Sequence, residues 1–274
     1  MLQIHGQVAA QRVAVVTGAN KGVGFHIAEQ IVKSGLFGTV IMACRDAGRG
    51  QAAAKQVGGI YMPLEVGNTA STHAFAEAVK SNFGRVDCLV NNAAIAFKAA
   101  DPTPFVQQTK PTLDINLRGT LEVTEALLPL LTNSCVEDGR IVNVASMAGR
   151  LRQVSPLLQA AFSSPELTLN GVRSLADKFE ADVAAGNHQA NGWSNSNYAI
   201  SKLALIAATN VLARQYPGLR VNACCPGYCD TDMSSHKGTR PPALGARNAV
   251  LLVATPAAQC PTGAFIQNEK LSEW

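Results

Sequence analysis

Charge is scarce in this 274-residue chain, at 15% of residues, and no run of five or more basic residues occurs. A net charge of +4 without such a run leaves nucleic-acid binding without support. Long apolar runs are missing as well: nothing approaches 18 uninterrupted apolar residues, so no membrane span is expected. The first ten residues lack a basic segment followed by an apolar core, which leaves no secretory signal to read and makes the cytoplasm the expected location. The cysteines are seven, an odd number that includes the adjacent Cys224 and Cys225, and this suits reduced, mostly buried thiols better than a disulfide framework. Cys225 and Cys229 have no Cys or His pair nearby at zinc spacing, so no metal site is expected. Low-complexity tracts and repeats are also absent, and the length suits one domain spanning residues 1–274.

What is present is alternation. Short β-branched or apolar runs at 12–17, 39–44, 60–64, 87–90, 140–145, 220–225 and 263–267 are separated by helix-length segments. That pattern predicts an α/β fold with a seven-stranded, mostly parallel, doubly wound sheet, helices on both faces and ligands at the carboxyl ends of the strands. Gly18, Asn91, Ser146 and Pro226 all follow such strands.

The first strand ends in Thr17-Gly-Ala-Asn-Lys-Gly-Val-Gly24. Glycines there allow backbone N–H groups to approach a pyrophosphate, and a helix beginning near Val23 turns its positive end toward the phosphates. At the end of the second strand Cys44 stands where an NAD enzyme would carry Asp or Glu for the ribose 2′-hydroxyl. Arg45, Arg49 and Lys21 could converge there on a 2′-phosphate, which predicts NADPH/NADP+ in preference to NADH.

Tyr198 and Lys202 are four residues apart, so a helix would turn both toward one face. Bringing a phenol from its ordinary pKa of about 10 toward neutrality requires roughly 4 kcal/mol. An ammonium about 5 Å away supplies on the order of 3 kcal/mol at an effective dielectric near 20. The pair therefore reads as a proton-transfer device, with Lys202 expected to lower the Tyr198 pKa.

With Asn91-Asn-Ala-Ala94, Asn116 in Asp114-Ile-Asn-Leu and Ser146 at a strand end, these motifs resemble the classical short-chain dehydrogenases/reductases over nearly the whole chain. Within that family the chain is most similar to the monomeric NADPH-dependent carbonyl reductases. The stretch 91–105, Asn222-Ala-Cys-Cys-Pro-Gly227, Thr231-Asp-Met233 and Glu273-Trp274 carry the likeness. Ala94 departs from the family's usual glycine, and Glu65 stands for a usual Asp.

The resemblance implies a Rossmann-type fold and a catalytic tetrad of Asn116, Ser146, Tyr198 and Lys202. In it Tyr198 protonates the alkoxide, Ser146 donates a second hydrogen bond, and Asn116 holds a water in the proton path. Cofactor contacts are implied for Gly18, Asn20, Gly22, Val23, Gly24, Glu65, Val66, Asn92, Ala93, Pro226, Gly227, Thr231 and Met233, besides the cations above. Ile95, Phe97, Trp193 and Tyr228 are the expected substrate wall, with glutathione conjugates near Ile95 to Lys98 as a further possibility. Tyr198 follows Ser146 by 52 positions, leaving a helical insertion of about 151–192. Ser163-Ser-Pro-Glu166 reads as its helix start, followed by Val172, Leu175, Phe179 and Val183 at helical spacing. Such an insertion would obstruct the family's dimer interface, so a monomer is expected. The implied activity is reduction of small-molecule ketones, aldehydes or quinones. A reductase of one steroid, pteridine or terpenoid ketone, and a non-catalytic dinucleotide sensor, remain open from sequence.

Overall fold

The computed structural model describes residues 12–98, 100–132 and 139–274; the segment read for a secretory signal and Cys135 lie outside them. Strands β1 (Val13–Thr17), β2 (Thr39–Cys44), β3 (Ile60–Pro63), β4 (Cys88–Asn91), β5 (Gly139–Val144), β6 (Leu219–Cys225), β7 (Phe265–Gln267) and β8 (Lys270–Leu271) form one sheet. The spatial order is β3-β2-β1-β4-β5-β6-β7-β8, parallel except for the β7–β8 hairpin. The eighth strand was not foreseen: two exposed residues carry no alternation signal, and the hairpin alone creates them.

Continuous apolar runs such as Val13–Thr17 are buried on both faces because helices cover each side. One face carries α1 (Gly22–Ser34), α2 (Ala47–Val57), the short α9 (Pro242–Gly245) beside α1, and α10 (Arg247–Ala254), with Ile27, Ile31, Ala53 and Leu252 against Val16, Val90 and Val142. The other carries α3 (Thr69–Phe83), α4 (Phe105–Leu113), α5 (Thr120–Thr132) and α8 (Asn197–Gln215), where Phe75, Leu113, Leu121 and Leu203 pack on Val15, Leu89 and Ile141. A short π-helical segment, Asp114–Gly119, joins α4 to α5.

Residues 151–192 contain two helices, α6 (Pro156–Ser163) and α7 (Leu169–Ala184). Ser163 therefore ends a helix instead of starting one. Thr168, whose hydroxyl accepts from the Gly171 N–H at 3.1 Å, caps α7. The Ser-Ser-Pro signal marks the break between two helices and hides the first, whose proline sits in its opening turn. Arg118 binds Asp177 (2.6 Å) and Glu180 (2.7 Å) on α7, and Arg173 binds Glu125 on α5 at 2.7 Å, fastening the insertion across the helical face.

Candidate cofactor cleft and active site

The carboxyl ends of the strands open into a cleft of about 870 Å³. The strand order reverses between β1 and β4, where crossovers depart to opposite faces and leave a crevice. Its walls come from the segments that follow the strands: Gly18 to Gly24, Cys44 and Arg45, Leu64 to Val66, Asn92 to Ala96, Val144 and Ala145, and Pro226.

The glycine-rich loop is built for close approach. Gly18 is left-handed (φ 64°), and a Cβ there would lie 2.9 Å from Ala93 Cα. A Cβ on Gly24 would collide with the side-chain amide of Asn92 and the carbonyl of Gly18. That amide in turn donates to Thr17 O (3.0 Å) and Gly18 O (3.3 Å), while Thr17 Oγ1 accepts from the N–H groups of Asn92 and Ala93, both at 3.0 Å. Loop and strand end thus lock each other. Helix α1 opens into the cleft with no side-chain cap from Lys21, whereas Asp46, Asn68, Thr168 and Ser196 cap α2, α3, α7 and α8. Uncapped first-turn N–H groups at the positive end of a helix suit an anionic diphosphate, so the donor set fits a dinucleotide.

At the other end of the cleft, Tyr198 and Lys202 face it from the first turns of α8. Lys202 Nζ is 5.7 Å from the Tyr198 ring centre and donates to Val144 O at 2.8 Å. Ser146 begins the turn after β5, and its Oγ accepts from Ala148 N at 3.1 Å. Burial pushes the Tyr198 phenol up to about 12, with the Ser146 hydroxyl opposing and Cys225 adding to the rise. Burial also pushes Lys202 down to about 8. The upward direction is set by burial, and Lys202 is not among the groups that move the phenol in this structure.

Asn116 sits in the π-helical segment, where the bulge redirects its side chain. Its Oδ1 accepts from Ile95 N (2.8 Å), and its Nδ2 donates to Ile95 O (2.9 Å) and Ser201 Oγ (3.1 Å). Ser201 Oγ donates to Tyr198 O at 2.8 Å. The side chain is thus committed to the loop after β4 and to the helix that carries Tyr198.

The three cations expected at one phosphate are dispersed. Arg49 is bound to Asp46, the cap of α2, at 2.7 Å and does not line the cleft. Lys21 lines it but pairs with Asp232 across the lips at 2.5 Å. Arg45 lines it with a 74% exposed side chain and a long 3.8 Å contact to Glu65. Asp232 was missed because nothing local links residues 211 positions apart. His236 bridges Asp230 (2.8 Å) and Asp232 (3.1 Å) within the same segment, and its pKa is raised by those two carboxylates.

The proposed cofactor contacts Asn20, Val23, Glu65, Val66, Asn92, Ala93, Pro226, Thr231 and Met233 all line the cleft, as does Ile95 on the substrate side. Phe97, Gly227 and the 56% exposed Tyr228 lie outside its lining. Trp193 does not belong to the substrate wall. It is buried between Phe162 and Phe179, and its indole N–H donates to Asp182 Oδ2 at 2.7 Å. A large aromatic near a catalytic motif is equally well spent on core packing, and the insertion needs one. Trp193→Phe is expected to leave turnover intact and to cost about 1.5–3 kcal/mol of stability, measured by urea unfolding, because a bond to a charged acceptor is lost.

The described cysteines, Cys44, Cys88, Cys224, Cys225, Cys229 and Cys260, are buried. No helix among the described residues is long and apolar enough to cross a membrane.

The short chain dehydrogenase family model matches residues 12–164 and 182–241, leaving out much of α7. Carbonyl reductase [NADPH] 1 of Sus scrofa is 38% identical to the chain, over 96% of it and 94% of the relative. Among solved structures, salutaridine reductase from Papaver somniferum aligns with a TM-score of 0.85 at 29% identity, covering 93% of this chain and 99% of that one. Menthone neomenthol reductase from Mentha piperita aligns at 0.78 and 31% identity, covering 93% and 97%. With this match of sequence and fold, and a cleft whose glycine-rich loop faces a Tyr and Lys pair, the chain belongs to the short-chain dehydrogenase family.

Proposed function

We propose that this protein is an NADPH-dependent carbonyl reductase that converts small-molecule ketones, aldehydes or quinones to alcohols. The observation that carries the reading is the Tyr198 and Lys202 pair, with the Lys202 ammonium 5.7 Å from the phenol ring, at the end of a cleft that an uncapped helix opens into. When bound, NADPH supplies the hydride that the carbonyl carbon accepts. The backbone at Gly18, Asn20, Gly22, Val23 and Gly24 would hold its diphosphate, Arg45 its 2′-phosphate, Glu65 and Val66 its adenine, and Asn92, Ala93 and Lys202 its ribose. Pro226, Thr231 and Met233 would hold the carboxamide end.

The substrate oxygen lies between the hydroxyls of Ser146 and Tyr198. As charge develops on it, Ser146 donates a hydrogen bond that strengthens, and Tyr198 gives up its proton. A phenol raised by burial keeps its proton at neutral pH, so that proton is available to the alkoxide. Lys202 then balances the phenolate left behind. Ile95 begins the apolar side of the substrate site, and Asn116 and Ser201 keep Ile95 and Tyr198 in register.

The pH dependence follows. Tyr198 keeps its proton throughout the neutral and mildly alkaline range, whereas Lys202 loses its charge as pH rises through about 8. Reductive kcat/KM is therefore expected to decline above that pH, and a profile that stays level to about pH 10 would contradict the role of Lys202.

We also propose a cytoplasmic monomer. The ion pairs of Arg118 and Arg173 hold α7 across the helical face beside α5 and α8, which supports occlusion of that face. Light scattering showing a stable dimer would refute the monomer.

A second reading, reduction of one dedicated ketone, is favoured by the likeness to salutaridine reductase and menthone neomenthol reductase. Initial rates with NADPH on quinones, aromatic aldehydes, keto-steroids and monoterpenoid ketones separate the two. Comparable kcat/KM across classes supports the broad reductase, and one substrate far above the rest supports the dedicated one. No turnover in any class defeats both.

A further inference from the structure

The segment from Pro226 to Arg240 crosses the end of the cleft, with Pro226, Thr231 and Met233 on its lining. Both ends of this segment are fastened to a single two-residue turn. That turn, Asn268–Glu269, joins β7 to β8 with both residues left-handed, at φ 51° and 61°. Asn adopts this conformation readily, but Glu does so at a cost, so the surroundings must hold it there.

Asn248, fully buried on α10, supplies the first fastening. Its Oδ1 accepts from Glu269 N at 2.7 Å, and its Nδ2 donates to Cys225 O at 2.5 Å. Cys225 is the last residue of β6, and the chain enters the cleft at the next one. Arg240 supplies the second. Its guanidinium donates to Asn268 Oδ1 at 2.9 Å, while its backbone N–H donates to Tyr228 O (3.0 Å) and its carbonyl accepts from Asp230 N (2.9 Å). Gly227 makes room for it, since a Cβ there would lie 3.0 Å from Arg240 Cδ. Arg247, beside Asn248, also pairs with Glu269 at 3.1 Å.

We propose that Asn248 and Arg240 are positioning residues. Through the Asn268–Glu269 turn they set where the Pro226 to Met233 segment presses on the reactive end of the dinucleotide. The inference rests on the reading that the cleft beside Pro226 takes the nicotinamide ring. Neither residue touches substrate; each acts through the backbone that would face the ring. Hydride transfer is sensitive to small displacements, so loosening this segment lowers turnover more than it lowers binding, most of which comes from the diphosphate and adenine ends.

The test uses Asn248→Ala, Arg240→Ala and Arg240→Lys in the full chain. Three readouts apply: backbone amide exchange over residues 227–233, NADPH affinity by fluorescence titration, and kcat. The two alanine variants are expected to exchange these amides faster and to lose about tenfold to a hundredfold in kcat, with NADPH affinity within about threefold of wild type. Arg240→Lys should recover part of the loss. Should Asn248→Ala fail to fold, the surface change Arg240→Ala decides alone. Unchanged exchange, a kcat within about twofold of wild type, or parallel loss of affinity and kcat overturns the proposal. Tyr198→Phe serves as the control: retained activity there would defeat the reading of the site, whereas an inactive Tyr198→Phe beside a fully active Arg240→Ala defeats only the positioning role.

Discussion

Tyr198→Phe is expected to lower carbonyl reduction by about 10²–10⁴ while leaving NADPH affinity nearly unchanged, since a general acid typically contributes that much. The substitution removes one oxygen and almost no volume from the start of α8. The ring still lies 5.7 Å from the Lys202 ammonium, and Lys202 keeps its bond to Val144 O, so the local frame survives. What disappears is the proton. With the phenol pushed up to about 12, Tyr198 keeps a transferable proton at neutral pH on the cleft wall. Ser146 can still donate a hydrogen bond, which leaves residual turnover. Fluorescence titration with NADPH and initial rates on a quinone measure the two halves separately, and retention of more than about a tenth of wild-type kcat would show that Tyr198 is not the proton donor.

Arg45→Ala is expected to reduce the preference for NADPH over NADH by about tenfold to a hundredfold, the worth of one charge-assisted contact at roughly 1.5–3 kcal/mol. Arg45 follows the end of β2, lines the cleft, and has only a long contact to Glu65. Arg49→Ala should change that preference much less, because its guanidinium is already bound to Asp46 and is not part of the cleft lining. Lys21→Ala should fall between them, since Lys21 lines the cleft but is shared with Asp232. The ratio of kcat/KM for the two cofactors reads each case. A preference unchanged in Arg45→Ala, or abolished by Arg49→Ala, would reverse the assignment.

Sequence by itself determined where the first seven strands lie along the chain, the loop after β1, and the placing of Tyr198 with Lys202 on one helix face. Each is written in local periodicity or in spacing along a single element: buried parallel strands read as apolar runs, a tight phosphate turn needs glycine, and residues four apart share a helix face. Tertiary structure alone decided the rest. Which cation is left for a phosphate depended on Asp46 and Asp232 taking the other two, and Asp232 is 211 residues from its partner. Whether Trp193 met substrate or Phe179 depended on how α6 and α7 folded back over α8. The direction in which Tyr198 and Lys202 shift depended on how much water their burial removes, a quantity set by every segment around the cleft and by no single stretch of chain.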